Sequence, residues 1–214
     1  MKDLFTPKMR AQLAASRAIA TVVVENVEDA RPLAEALLAG GIKVIEITMR
    51  TPAALQVMQV IAENYSEMLV MAGTVITPTQ VRQVQDAGAS CAVAPGMNAR
   101  VVQAALNAQL PFAPGIATPS EIEHALVFGC DILKLFPAEP MGGLPYLKNM
   151  QAPYAHLGLQ FIPLGGLNEE NAKYYLQEDM ILTVGGSWIA SASAITAGDW
   201  AGITQRAAAV MHKL

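Results

Sequence analysis

Lys134 stands inside an apolar run, "DILKLFPAE" (131–139), with Ile132, Leu133, Leu135 and Phe136 around it and Pro137 closing the segment. A short aliphatic and aromatic run before a proline reads as a buried strand. Taking an ammonium out of water is costly, so a lysine there needs a partner or a task. The run "KVIEITMR" (43–50) offers both. The two-residue period of a strand puts Glu46, Thr48 and Arg50 on one face and Ile45, Ile47 and Met49 on the other. By the same rule Lys134 and Phe136 share a face, opposite Leu133 and Leu135. Thr74 ends a third run, "MAGT" (71–74).

These residue types have a chemistry in common. An apolar surround favours a neutral amine over an ammonium, and a neutral amine can attack a carbonyl carbon to form a Schiff base. The protonated imine draws electrons, so a bond two carbons away can break and leave an enamine. A carboxylate in reach, directly or through one water, moves the protons these steps need, and Glu46 fits that role. Arg50 suits a two-pronged grip on a substrate carboxylate. Lysine, glutamate and arginine together match addition or cleavage chemistry on a 2-keto acid. A Glu46–Lys134 pair serving only to pack the interior is the weaker explanation, because apolar residues often replace such a pair without loss.

Other chemistries find no support. His124, His156 and His212 are scattered without ligand spacing, so no metal site is expected, and no cofactor. No serine or cysteine has a histidine arranged beside it, and Cys91 and Cys130 read as reduced core thiols. Net charge is −4 with no basic cluster, which argues against nucleic acid. No apolar stretch approaches the roughly 20 residues of a membrane span. The opening segment "MKDLFTPKMRAQLAASR" lacks the apolar core of a signal peptide and reads as a capping amphipathic helix. The expected compartment is the cytoplasm.

What positions the candidates is an alternation of strands and helices. Eight β-rich runs occur at 18–26, 43–50, 69–75, 91–96, 111–116, 132–138, 159–166 and 181–188. Segments with helical spacing follow them, several opening on Thr-Pro ("TPAAL", "TPTQV", "TPSEI"), which suits an N-cap followed by proline at the first helical position. "AGG" and "DAGA" place glycine just past helix ends. One uninterrupted alternation predicts a single domain over 1–214 with a parallel sheet, and eight units suit a (β/α)₈ TIM barrel with an extra N-terminal helix. An open doubly wound sheet is the alternative, but no G-x-G-x-x-G follows the first strand. Glycine pairs come instead after the last two strands, in "LGGLN" (164–168) and "VGGSW" (184–188), where such barrels often bind phosphate. Tight strand–helix turns would use glycine equally well.

The motifs "VIEITMRTPAAL", "MAGTVITPTQ", "VAPGMN", "PGIATPSEI", "ILKLFPAE", "PLGGLN" and "VGGSW", in this order, resemble the family of 2-keto-3-deoxy-6-phosphogluconate (KDPG) and 4-hydroxy-2-oxoglutarate (KHG) aldolases. The resemblance runs from about the first strand to the last helix. It implies a Schiff-base aldolase on a (β/α)₈ barrel that releases pyruvate from a 4-hydroxy-2-keto acid, with glyceraldehyde 3-phosphate or glyoxylate as the aldehyde. It implies that Lys134 forms the imine, that Glu46 shuttles protons, and that Arg50 and Thr74 hold the pyruvate carboxylate. Pro95 and Phe136 would shape the pocket, and Gly165, Gly166, Gly186 and Ser187 match the site for the distal phosphate. Family members are commonly homotrimers, so the expected partners are the keto acid and two further copies of the chain. One departure stands out: KDPG-cleaving members usually carry threonine before the glycine pair, near the substrate's C4 hydroxyl, and this chain has Leu164. That leaves a stereoisomeric sugar acid open as the substrate. A catalytically silent barrel that only binds phosphorylated ligands is the third reading.

Overall fold

A computed structural model of the chain describes residues 4–213. Among these are nine strands, with helices between all consecutive ones except β5 and β6: β1 (Ala18–Val22), β2 (Val44–Thr48), β3 (Leu69–Gly73), β4 (Cys91–Val93), β5 (Phe112–Ala113), β6 (Gly115–Ile116), β7 (Ile132–Leu135), β8 (Gln160–Pro163) and β9 (Val184–Gly186). One sheet has the order β5-β4-β3-β2-β1-β9 and a second has β6-β7-β8. Every strand pairing is parallel. The result is an α/β fold around a curled parallel sheet. Consecutive parallel strands need a crossover, which helices such as Ala30–Ala39, Ala54–Asn64, Pro78–Asp86 and Pro119–Val127 supply.

All eight β-rich runs of the sequence contain a strand. The fifth is divided, because Pro114 lies between β5 and β6 and has no N–H to give a ladder. Its carbonyl still accepts from the Lys134 amide at 2.9 Å, so β7 stays in register. Isolated bridges join Phe161 to Ile181 and Leu164 to Gly185, between β8 and the β9 end of the larger sheet.

Strand alternation sorts the side chains into two cores. Ile45, Ile47, Leu133 and Leu135 pack outward with helix residues such as Leu33, Leu37, Val57 and Met58. Ile19, Val44, Met71, Val93, Ile132 and Ile162 form a separate inner cluster, joined at one end by Phe5 and Leu13. The helix Pro7–Ser16 carries Leu13 there, but only Leu13 and Ser16 of that helix are buried, so it lacks the broad apolar face expected. Arg10 compensates: its guanidinium donates to both carboxylate oxygens of Asp131, at 2.9 and 2.7 Å, and to Gln160 at 2.9 Å.

Two of the three Thr-Pro starts behave as read. Thr77 caps Pro78–Asp86 in a reciprocal box with Gln80, and Thr118 pairs with Glu121 at the start of Pro119–Val127. The third does not. The helix after "TPAAL" begins at Ala54, because Thr51 turns its hydroxyl to the Val24 carbonyl, at 2.6 Å, and ties two strand-end loops together. Among the described residues no helix is long and apolar enough to cross a membrane.

Candidate active site

A cavity of about 310 Å³ opens at the carboxyl ends of the strands, and its floor is an ion pair. Lys134 on β7 reaches across to Glu46 on β2, with Nζ 2.9 Å from Oε1 and side-chain exposures of 6% and 1%. The sequence separation is 88 residues, so only the curl of the sheet brings them together. A buried pair of this kind carries a desolvation cost that its mutual attraction barely offsets, so its presence is not explained by stability.

The Glu46 carboxylate is held on three sides. Thr21, its direct neighbour in the β1–β2 register, donates from Oγ1 to Oε2 at 3.2 Å. Behind it lies Gly73, where an added Cβ would overlap the carboxylate itself. Thr21 was not among the residues singled out from sequence, although alternation along β1 pointed to it: Ile19 and Thr21 share the inner face, while Ala18, Ala20 and Val22 face the helices. Thr48 also lines the cavity, but its hydroxyl is committed to the Val22 carbonyl at 2.9 Å.

Arg50, just past β2, lines the same cavity, and its guanidinium has no side-chain partner among the described residues. Beside it Thr74 follows β3 with φ at +59°, a left-handed conformation that a β-branched residue adopts only under strain. Such strain gathers at functional sites. Pro95 closes the wall after β4, against Gly115, where any side chain would strike the Pro95 carbonyl. Phe136 sits at the mouth, 36% exposed, with its ring centroid 5.6 Å from the Lys134 nitrogen.

The far end of the cavity is backbone. Gly165 and Gly166 have φ of +95° and +82°, so their left-handed turn excludes other residues. The Glu139 amide donates to the Gly165 carbonyl at 3.0 Å, and the Tyr175 hydroxyl donates in turn to the Glu139 carboxylate. Gly186 and Ser187 complete this end, with Gly186 packed under the Trp188 ring. Leu164 lines the cavity too, yet is only 3% exposed, its side chain lying in the space that a Cβ on Gly185 would fill. All eleven residues singled out from sequence therefore meet in one cavity.

The thiols stay apart from this chemistry. Burial, aided by the charge of Glu46, holds the Cys91 thiol far above its usual range. Burial and then Asp131 push Cys130 up to about 12. Neither forms a thiolate nucleophile near neutral pH.

A buried amine beside a carboxylate, an unpaired guanidinium and a glycine turn, all at the carboxyl ends of parallel strands, define a site for lysine-dependent carbonyl chemistry. The KDPG and KHG aldolase family matches residues 9–206. A 2-dehydro-3-deoxy-phosphogluconate aldolase of Treponema pallidum is 43% identical over 188 residues, 88% of this chain and 89% of that protein. The KHG/KDPG aldolase of Escherichia coli K12 is 39% identical over 189 residues, 88% of each chain. Among solved structures, the KDPG aldolase of Legionella pneumophila, with pyruvate captured at low pH as a covalent carbinolamine, superposes with a TM-score of 0.89. It is 40% identical, and the match covers 94% of this chain and 97% of that one. The chain belongs to the KDPG and KHG aldolase family.

Proposed function

We propose that this chain is a Schiff-base aldolase that cleaves a 4-hydroxy-2-keto acid to pyruvate and an aldehyde. The observation that carries the reading is the Lys134–Glu46 pair, 2.9 Å apart and buried at the floor of an open cavity. Glu46 takes a proton from the Lys134 ammonium, and the freed amine attacks C2 of the substrate. Glu46 returns protons as the carbinolamine loses water and becomes the imine. Glu46, again a carboxylate, then takes the C4 hydroxyl proton and the C3–C4 bond breaks. The aldehyde leaves, the electron pair rests in the enamine, and Glu46 holds the proton that C3 next receives. Protonation at C3 and hydrolysis release pyruvate and restore the lysine.

The other residues take roles by position. Arg50 and Thr74 receive the keto acid's carboxylate, Arg50 through its unpaired fork. Pro95 and Phe136 bound the three-carbon end. Gly165, Gly166, Gly186 and Ser187 offer a side-chain-free cradle for a distal phosphate. The substrates that fit are KDPG, giving glyceraldehyde 3-phosphate, and KHG, giving glyoxylate. The relatives' names and the pyruvate adduct of the Legionella protein support both the chemistry and this pair of substrates.

The reading extends to the whole chain. The two sheets close into one (β/α)₈ barrel, supported by the Leu164–Gly185 bridge and by the single proline between β5 and β6. The helix Pro7–Ser16 is an addition that caps the inner core. The chain works as one domain in the cytoplasm, a reading supported by its uninterrupted strand–helix alternation and its opening segment, and assembles as a homotrimer, as the family resemblance implies.

A second substrate reading rests on Leu164. Its aliphatic side chain lines the cavity where a hydroxyl-bearing residue could bond the C4 hydroxyl, so the C4 epimer of KDPG competes as substrate. A site that lacks a polar partner cannot penalise a misplaced hydroxyl. The test is kcat/KM for pyruvate release from KDPG, its C4 epimer and KHG, before and after chelator treatment, in wild type and Leu164→Thr. Expected are release that survives chelation, weak discrimination between epimers, and a gain for KDPG of about 1 kcal/mol in the variant. Release abolished by the chelator, or from none of the three, contradicts the reading.

A further inference from the structure

We propose that Thr21 is a positioning residue for the proton-shuttling carboxylate: its hydroxyl holds Oε2 of Glu46 so that Oε1 stays aimed at the Lys134 nitrogen and the substrate carbons attached to it. The inference rests on the lysine chemistry proposed above and adds a residue to it.

Three observations support it. Thr21 is the inner-face residue of β1 directly opposite Glu46, and the rest of β1 is aliphatic, so a hydroxyl here is not a consequence of composition. Its Oγ1 donates to Oε2 at 3.2 Å, whereas the nearby Thr48 hydroxyl is occupied by a backbone carbonyl. Behind the carboxylate, Gly73 leaves the space that Glu46 fills, so neighbouring strands form a seat of one hydroxyl and one absent side chain.

The seat matters because the other partner does not last. In the resting site Lys134 holds Oε1. During turnover its nitrogen becomes an amine, a carbinolamine and an imine, so that bond changes at each step. Among the described residues, only the Thr21 hydroxyl bonds the carboxylate without itself reacting. Threonine is stiff at χ1, and a strand backbone fixes its direction. A carboxylate with this anchor needs no reorientation between delivering a proton to the leaving water and delivering one to C3.

The experiment follows exchange of the pyruvate methyl protons with deuterium oxide by NMR, alongside borohydride trapping at saturating pyruvate. Thr21→Val keeps the shape and removes the hydroxyl. It should slow exchange by about tenfold, the worth of one hydrogen bond to a charged group, while KM for pyruvate and the trapped yield stay unchanged. Thr21→Ser, with a hydroxyl but no methyl, should restore most of the rate. In a Glu46→Gln background, Thr21→Val should add nothing. Exchange at the wild-type rate in Thr21→Val, a serine variant as slow as the valine one, or independent losses in the double variant would overturn the inference and leave the aldolase reading standing. Wild-type protein that neither exchanges nor traps pyruvate overturns both.

Discussion

Removing the Lys134 amine would leave Glu46 at 1% side-chain exposure with Thr21 as its hydrogen-bond donor. Breaking a buried pair by deleting one member costs about 3–5 kcal/mol, because the remaining charge is uncompensated. Lys134→Met should therefore abolish turnover and also lower the urea midpoint. Adding Glu46→Gln should recover most of that loss without recovering activity. Equal midpoints for the single and double variants would mean that the lone carboxylate is not the source of the cost. The individual residues were the most legible part of the sequence. Glu46 and Arg50 declared themselves because a charge at the inward period of an apolar strand has no bland explanation. Thr21 follows the same period but does not stand out, since one hydroxyl among Ala18, Ile19, Ala20 and Val22 can be accommodated almost anywhere. The strain at Thr74 was not readable at all: a positive φ at a threonine is imposed by the strand end and its loop, and no residue type announces it.

Strand periods and helix caps were readable where local preferences and tertiary demands agree. Thr77 and Thr118 cap the helices their sequences promise, whereas Thr51 was drawn off by the Val24 carbonyl, a partner 27 residues away that local reading cannot see. The glycine turn after β8 is the element on which the phosphate assignment depends. Gly165 sits at φ +95°, and a Cβ there would press on Pro137 at 3.0 Å and on the Phe136 ring at 3.2 Å. Gly165→Ala should therefore distort the cradle and crowd the cavity mouth together. KM for a phosphorylated substrate should rise by roughly tenfold or more, from about 1–2 kcal/mol of backbone strain, while KHG, which has no phosphate, loses less. Equal losses for the two substrates would remove the glycine pair from phosphate binding.

At the scale of the molecule, the fold sets one of the sequence's seven lysines, Lys134, into the cavity beside Glu46. Lys8, Lys43, Lys148 and Lys173 are exposed, Lys148 in an ion pair with Glu178 at 2.6 Å, while Lys134 is held among apolar strands 2.9 Å from the Glu46 carboxylate. The curl of the sheet does this, by carrying β2 and β7 to opposite walls of one cavity, and the sequence alternation implied such a curl without fixing how its edges meet. Reduction with borohydride in the presence of pyruvate, followed by peptide mass mapping, tests directly whether Lys134 forms the imine. A pyruvate-derived mass is expected on Lys134 alone, with activity lost in proportion to labelling. Labelling spread over the exposed lysines, or folded protein that takes up no label, would contradict that role for Lys134.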